Sequence, residues 1–222
     1  LFYSRRVGSQ PIHLYDVAGK LNTNEHIVDN PSESKLINAT KLSGRTNEGI
    51  GIGFFNFITN NTYATIKDKN TGLTEKILTE PLANYNVLVA DKQWKSNSSV
   101  YLINTNVTRN GEYRDANVSA LVWDLNTKQN SYNLSGNFKY SYINELYNYE
   151  DKKGYDTSLD FEKTSGKYRF NLGGQYVSNE YDNNDLGINF QTHFHAAYGN
   201  ISYRILKPNS LFNSFNTFLN VY

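Results

Sequence analysis

A run of strict alternation from Ser131 to Tyr142 constrains this chain more than any other feature. Tyr132, Leu134, Gly136, Phe138, Tyr140 and Tyr142 share one parity, and Ser131, Asn133, Ser135, Asn137, Lys139 and Ser141 share the other. Successive strand side chains point to opposite faces, so the run specifies a strand with one greasy and one wet face. At about 3.3 Å per residue it is long for a globular strand and suited to a tilted membrane-spanning one.

The pattern recurs. Tyr155, Thr157, Leu159 and Phe161 oppose Asp156, Ser158, Asp160 and Glu162. Tyr168, Phe170, Leu172, Gly174 and Tyr176 oppose Lys167, Arg169, Asn171, Gly173 and Gln175. Ile188, Phe190, Thr192, Phe194, Ala196 and Tyr198 oppose Asn189, Gln191, His193 and His195, and Ile201, Tyr203 and Ile205 oppose Asn200, Ser202 and Arg204. Every charge in these runs falls on the polar parity, the sorting expected where one face meets lipid and the other a wet lumen. Less cleanly sorted strands are expected near 36–43, 49–58, 82–94, 98–108 and 117–126, with a last one over 212–222. Residues 1–35 read as a lead-in, and 36–222 as the strands.

The connections carry separate information. Short ones fall near 44–48, 95–97, 127–130, 163–166 and 199–200, and long ones near 59–81, 109–116, 143–154, 178–187 and 206–211. Short and long alternate, as in outer-membrane barrels with tight periplasmic turns and long outer loops. A Greek-key sandwich has no reason to alternate in this way. The fold class expected is therefore all-β, an antiparallel up-and-down transmembrane barrel, present here as an incomplete part. The count of about 11 strands is odd, whereas bacterial single-chain barrels have an even number. Methionine is absent even at position 1, which also points to a longer chain.

Composition narrows the function classes. Mean hydropathy is −0.62, yet the chain holds 18 Tyr and 12 Phe, which sets it apart from a disordered polymer. Its 22 basic and 21 acidic residues are interspersed, so no basic stripe offers itself to nucleic acid. Without cysteine it has neither disulfides nor thiolate metal sites. No run of 18 or more apolar residues could form a helical span, a test that strands escape.

Three stretches carry a family resemblance. LFYSRRVGSQP from Leu1, KLSGRTNEGIGIGFFNFIT from Lys41 to Thr59 and SNEYDNNDLG from Ser178 to Gly187 resemble segments of a Bacteroidota-type outer-membrane family. In that family a β-barrel domain of unknown function follows a family 9-like carbohydrate-binding module. The resemblance implies an outer-membrane barrel continuing beyond Tyr222, with no established activity and no sugar-binding residue to carry over.

Candidate chemistry is sparse. His193 and His195, at i and i+2, could chelate a metal from one strand face, or simply line a wet lumen. Asp182 and Asp185, with Asn183 and Asn184 between them, could hold Ca²⁺ but lack EF-hand spacing and are ordinary turn residues. Arg5 and Arg6 read as anchors to internal carboxylates. The lumen-lining set expected is Lys139, Asp156, Asp160, Glu162, Lys167, Arg169, Gln191, His193, His195 and Arg204. No nucleophile elbow, phosphate loop or zinc-helix motif occurs, so neither catalysis nor a cofactor is expected.

These readings favour an outer-membrane channel or transport component for small solutes or saccharides, in contact with lipid and with other outer-membrane or periplasmic proteins. The alternatives are a plugged barrel anchoring a periplasmic carbohydrate-binding or secretion partner, and a soluble secreted β-rich adhesin. Two registers are specific enough to check. A two-residue turn at Gly199 and Asn200 would set Tyr198 opposite Ile201, Phe194 opposite Ile205 and His195 opposite Arg204. A turn at Thr164 and Ser165 would pair Phe161 with Tyr168, Leu159 with Phe170, Glu162 with Lys167 and Asp160 with Arg169.

Overall fold

The computed structural model describes residues 7–8, 10–94, 97–145, 150–208 and 210–222. Its strands in chain order are β1 (Glu25–Asp29), β2 (Leu36–Arg45), β3 (Ile50–Thr59), β4 (Thr62–Asp68), β5 (Thr74–Glu80), β6 (Ala83–Trp94) and β7 (Ser98–Arg109). They continue as β8 (Asp115–Asn126), β9 (Tyr132–Asn144), β10 (Lys152–Lys163), β11 (Tyr168–Val177), β12 (Phe194–Ile205) and β13 (Phe215–Val221). Ten of them form one sheet in the order β13-β12-β11-β10-β9-β8-β7-β6-β3-β2, with every pairing antiparallel. Neighbours in sequence are neighbours in space, except where the β4–β5 hairpin leaves the sheet between β3 and β6. That hairpin pairs with β1 in a separate three-stranded sheet around Val17, Ala64 and Ile66. The lead-in therefore contains a strand, and the long connection 60–82 contains a hairpin.

The fold is all-β, antiparallel and up-and-down, and the large sheet is open. Among the described residues no ladder joins β2 to β13, which stand at opposite edges. The large sheet has ten strands where 11 were expected, for one reason. The runs 188–198 and 201–205 are not two strands joined by a turn at Gly199 and Asn200. Residues 188–193 are irregular, and β12 runs unbroken through both turn candidates, with Gly199 opposite Leu172 and Asn200 opposite Asn171. Ten strands is even, so the odd count falls. The strict short–long alternation also stops at β12, because the connection after it, 206–214, is long yet lies at the short-turn end.

The faces follow from the register. Leu125, Leu134, Phe161 and Leu172 stand opposite one another across β8 to β11, and Leu121 and Phe138 face each other two rungs along. The opposite face carries Asp124, Lys139, Asp156, Asp160, Glu162, Arg169 and Arg204. On the apolar face the large sheet places charge only at Lys92, Asp115, Lys153 and Lys163, each within two residues of a strand end. Phe194 and Tyr198 break the expected sorting because β12 keeps one parity throughout. Both lie on the polar face, where Phe194 packs on Val118, Val177 and Tyr181, and the Tyr198 hydroxyl donates to Asp160 at 2.8 Å. Phe190, expected to face outward from a strand, lies instead in the connection and is 95 % exposed.

The β10–β11 hairpin keeps the expected parity but slips by four residues. Phe161 pairs with Leu172, Leu159 with Gly174, Glu162 with Asn171 and Asp160 with Gly173. Neither expected ion pair forms among the described residues. Lys163 Nζ caps the carbonyls of Ser165 (2.6 Å) and Tyr168 (3.1 Å), Arg169 Nε donates to Gly166 O (3.2 Å), and Gly166 turns the chain at φ +85°. Gly173 also leaves room for Tyr198 of β12 to reach Asp160 of β10 across β11, where a Cβ would collide with both side chains.

Because the chain has no cysteine, an introduced pair reports this register directly. The variant Ser158→Cys/Gln175→Cys should oxidise to a disulfide, since facing strand residues lie within about 5.5 Å Cα to Cα. In Ser158→Cys/Asn171→Cys, the pair demanded by the tighter turn, the thiols should remain titratable, being offset by four residues or about 13 Å.

Candidate functional site

The end of the sheet that carries the longer connections is closed over on its polar face. Here that face turns apolar, with Tyr85, Val87, Val107, Ala116 and Ile143 packed under Leu186 of the 178–193 connection and bordered by Val7 of the lead-in. Tyr181 of the same connection is buried against Val118 and Val177. The backbone fits closely: Asp182 N donates to Ser141 Oγ at 3.1 Å, and a Cβ on Gly154 would strike the Tyr181 backbone. The connection is thus seated on the wall, and burying two large side chains there contributes on the order of 3–6 kcal/mol.

A charged network locks it. Arg109, at the end of β7, directs Nε to Glu80 Oε1 (3.2 Å), Nη1 to Arg114 O (2.6 Å) and Nη2 to Asp185 Oδ1 (2.8 Å). Arg114 binds Asp182 Oδ2 at 2.8 Å and Asp185 Oδ2 at 2.7 Å, and reaches Glu145 at 3.5 Å. Glu145 also takes Lys152 at 2.6 Å, while Glu80 accepts the Ile12 amide at 2.7 Å, tying in the lead-in. The Arg109, Glu80 and Asp185 side chains are under one-tenth exposed. Burial opposes the charge on Arg114, but Asp185 and Asp182 outweigh it and push its pKa up. Burial likewise opposes the Asp182 carboxylate, yet the Asn184 amide and Arg114 hold its pKa below the ordinary value. Beside the network opens a cavity of about 620 Å³, with His13, Tyr113 and Glu112 on its wall.

The sequence-predicted residues divide. Lys139, Asp156, Asp160, Glu162, Arg169 and Arg204 share the polar face, where Lys139 Nζ meets Asp156 at 2.6 Å and Gln175 adds a bond to it at 3.2 Å. Lys167 sits in the β10–β11 turn, and Gln191 is exposed in the 178–193 connection. His193 precedes β12 in the left-handed region at φ +57°, and His195 lies opposite Tyr176 on the apolar face. The two histidines therefore share no strand face, and His195 is not opposite Arg204, which pairs with Asn216. Asp182 and Asp185 come together as an arginine clamp. Among the described residues no group of three or more His, Asp or Glu could hold a metal ion. Arg5 and Arg6 lie outside the described residues. Sequence reading did not single out Arg109, Arg114, Glu80 or Glu145. Arg109 and Asp185 alone lie 76 residues apart, and no local spacing announces the cluster.

The whole chain, residues 1–222, matches the family model of a domain of unknown function, DUF5916. No curated protein matches the chain, and no solved structure does.

Replacing Arg109 by Met would leave Glu80 buried without a cation and Asp185 with Arg114 alone, at a cost of about 3–5 kcal/mol. The urea midpoint of the full-length protein should fall, and protease should cut within 178–193. Adding Glu80→Gln, which removes the unpaired charge, should recover much of the loss. An unchanged midpoint for Arg109→Met would mean that the clamp does not hold the connection.

Proposed function

The chain belongs along its whole length to DUF5916, a family of unknown function, and we propose that it forms part of the wall of a bacterial outer-membrane β-barrel that passes small solutes or saccharides. The observation that carries this reading is the apolar face. Leu42, Ile52, Leu88, Leu102, Leu159, Leu172, Ile201 and Leu219 are all exposed on it, one from each of eight strands. Soluble monomers rarely expose an apolar surface of more than a few hundred Å². Lipid would cover such a face without further protein.

The edges of that face support the same reading. At the short-turn end Tyr132 stacks on Phe161 (6.0 Å between centroids), Phe161 meets Phe170 (5.6 Å), and Tyr168 meets Tyr203 (4.7 Å). At the other end Tyr155 stacks on Tyr176 at 5.5 Å. Aromatic girdles bound the apolar band of outer-membrane barrels. On β9, Tyr132 and Tyr140 stand eight residues apart, about 26 Å along the strand and roughly 20 Å of height at a tilt of about 40°. Lys153 and Lys163 lie at the borders, where an ammonium reaches water while its stem covers apolar surface.

On this reading the polar face lines the lumen, and the 178–193 connection narrows it. A second reading, a plugged barrel that anchors a periplasmic or outer-membrane partner, is favoured by the buried clamp that holds the connection down. Planar-bilayer recording of the full-length protein separates the two. The channel reading predicts discrete conductance steps that enlarge in Gly154→Ala, whose new methyl displaces Tyr181. Silent bilayers from membrane-inserted protein, with the variant silent as well, would reject conduction in favour of the plugged anchor.

A further inference from the structure

Above the apolar band, on the same face, five adjacent strands change character together. Thr40, Asn56, Asn86, Asn106 and Asn117 stand opposite one another across β2, β3, β6, β7 and β8. Asn84 opposite Thr108, and Asn104 opposite Ser119, widen this row into a belt. The chain has 43 charged residues, 22 basic and 21 acidic, and none stands among these nine. A surface facing only water would gain solubility from charge at such positions. The belt has amides and hydroxyls instead, directly continuous with residues of the lipid-facing band such as Phe54, Leu88 and Leu121.

Its hydrogen bonds are partly internal. Asn56 Nδ2 donates to Asn84 Oδ1 (2.6 Å) and Asn86 Oδ1 (2.9 Å), and Asn104 Nδ2 donates to Asn117 Oδ1 (3.0 Å) and Ser119 Oγ (2.9 Å). These bonds orient the carbonyl ends into the belt. The amino groups of Asn84 and Asn86 then donate to no protein acceptor among the described residues, and both residues are half-exposed. An ordered, uncharged array of donors and acceptors matches a partner that offers both in return, which is the chemistry of a polyol. Its place at the border of the apolar band is where headgroups lie.

We propose that this asparagine belt docks the saccharide headgroups of glycolipids in the leaflet around the barrel. The inference rests on the membrane reading above, and the test keeps the two apart. The full-length protein is reconstituted into phosphatidylcholine bilayers with spin-labelled phosphatidylcholine or a spin-labelled neutral diglycosyl diacylglycerol, and the immobilised fraction of each label is compared. The glycolipid should be favoured about three- to tenfold, as expected for one or two net hydrogen bonds. That preference should vanish in Asn86→Ala/Asn106→Ala/Asn117→Ala and survive in the triple Gln variant, which keeps the amides.

Equal immobilisation of both labels by the native protein, or a preference untouched by the Ala variant, would overturn the proposal while leaving the membrane reading intact. No immobilised label of either kind would remove both. Abolition of the preference by millimolar free disaccharide would show a soluble saccharide to be the ligand, and would overturn the assignment to lipid.

Discussion

The structure depends on the lateral backbone ladder of one ten-stranded antiparallel sheet. A strand in that ladder has no freedom over which way its side chains point, because a one-residue slip would exchange the whole set between faces. Once Leu134 is paired with Phe161, and Phe161 with Leu172, the positions of Lys139, Asp156 and Arg169 on the other face are fixed. The chain separates grease from charge over ten strands through this parity, without a conventional enclosed core. Except along the outer edges of β2 and β13, the ladder also satisfies its own backbone groups, a requirement that limits membrane spans to helices and barrels.

Much of this was legible in the sequence because period-two alternation is a local signal. The runs 131–142, 155–162 and 168–176 gave both the strands and their facing. The misplaced turn in β12 has one cause: aromatic residues on the polar face. Phe194 and Tyr198 looked like lipid-facing positions, so the phase change after Tyr198 looked like a turn. In the structure each has its own partner on the polar side, Phe194 in the Val118–Val177–Tyr181 cluster and Tyr198 on Asp160. The four-residue slip around Gly166 had another source. Opposite charges on the two strands suggested that Asp160 would meet Arg169, but the Gly166 carbonyl takes Arg169 and the Tyr198 hydroxyl takes Asp160.

The candidate site lay beyond such reasoning. Asp182 and Asp185 were visible as an acidic loop, yet their meaning depends on Arg109 at the end of β7 and Arg114 in the β7–β8 connection. Buried ion pairs are costly to desolvate, and this one is retained with good geometry on nearly every guanidinium nitrogen. Its effect is to hold a 16-residue connection, 178–193, against the wall that it would otherwise leave. Gly154 and Ser141 supply the close approach, and Leu186 and Tyr181 the apolar seat.

The central claim is that the apolar face meets hydrocarbon, and the two tryptophans of the chain report on it. Trp123 lies opposite Gly136, midway between Tyr132 and Tyr140, and Trp94 ends β6 at the short-turn border. In the reconstituted full-length protein, the emission lost in Trp123→Phe should be quenched by lipids brominated deep in the acyl chain and protected from aqueous acrylamide. The emission lost in Trp94→Phe should respond best to bromine near the headgroup. Efficient acrylamide quenching of Trp123, with no effect of brominated lipid at any depth, would contradict the account and return this face to water or to a protein partner.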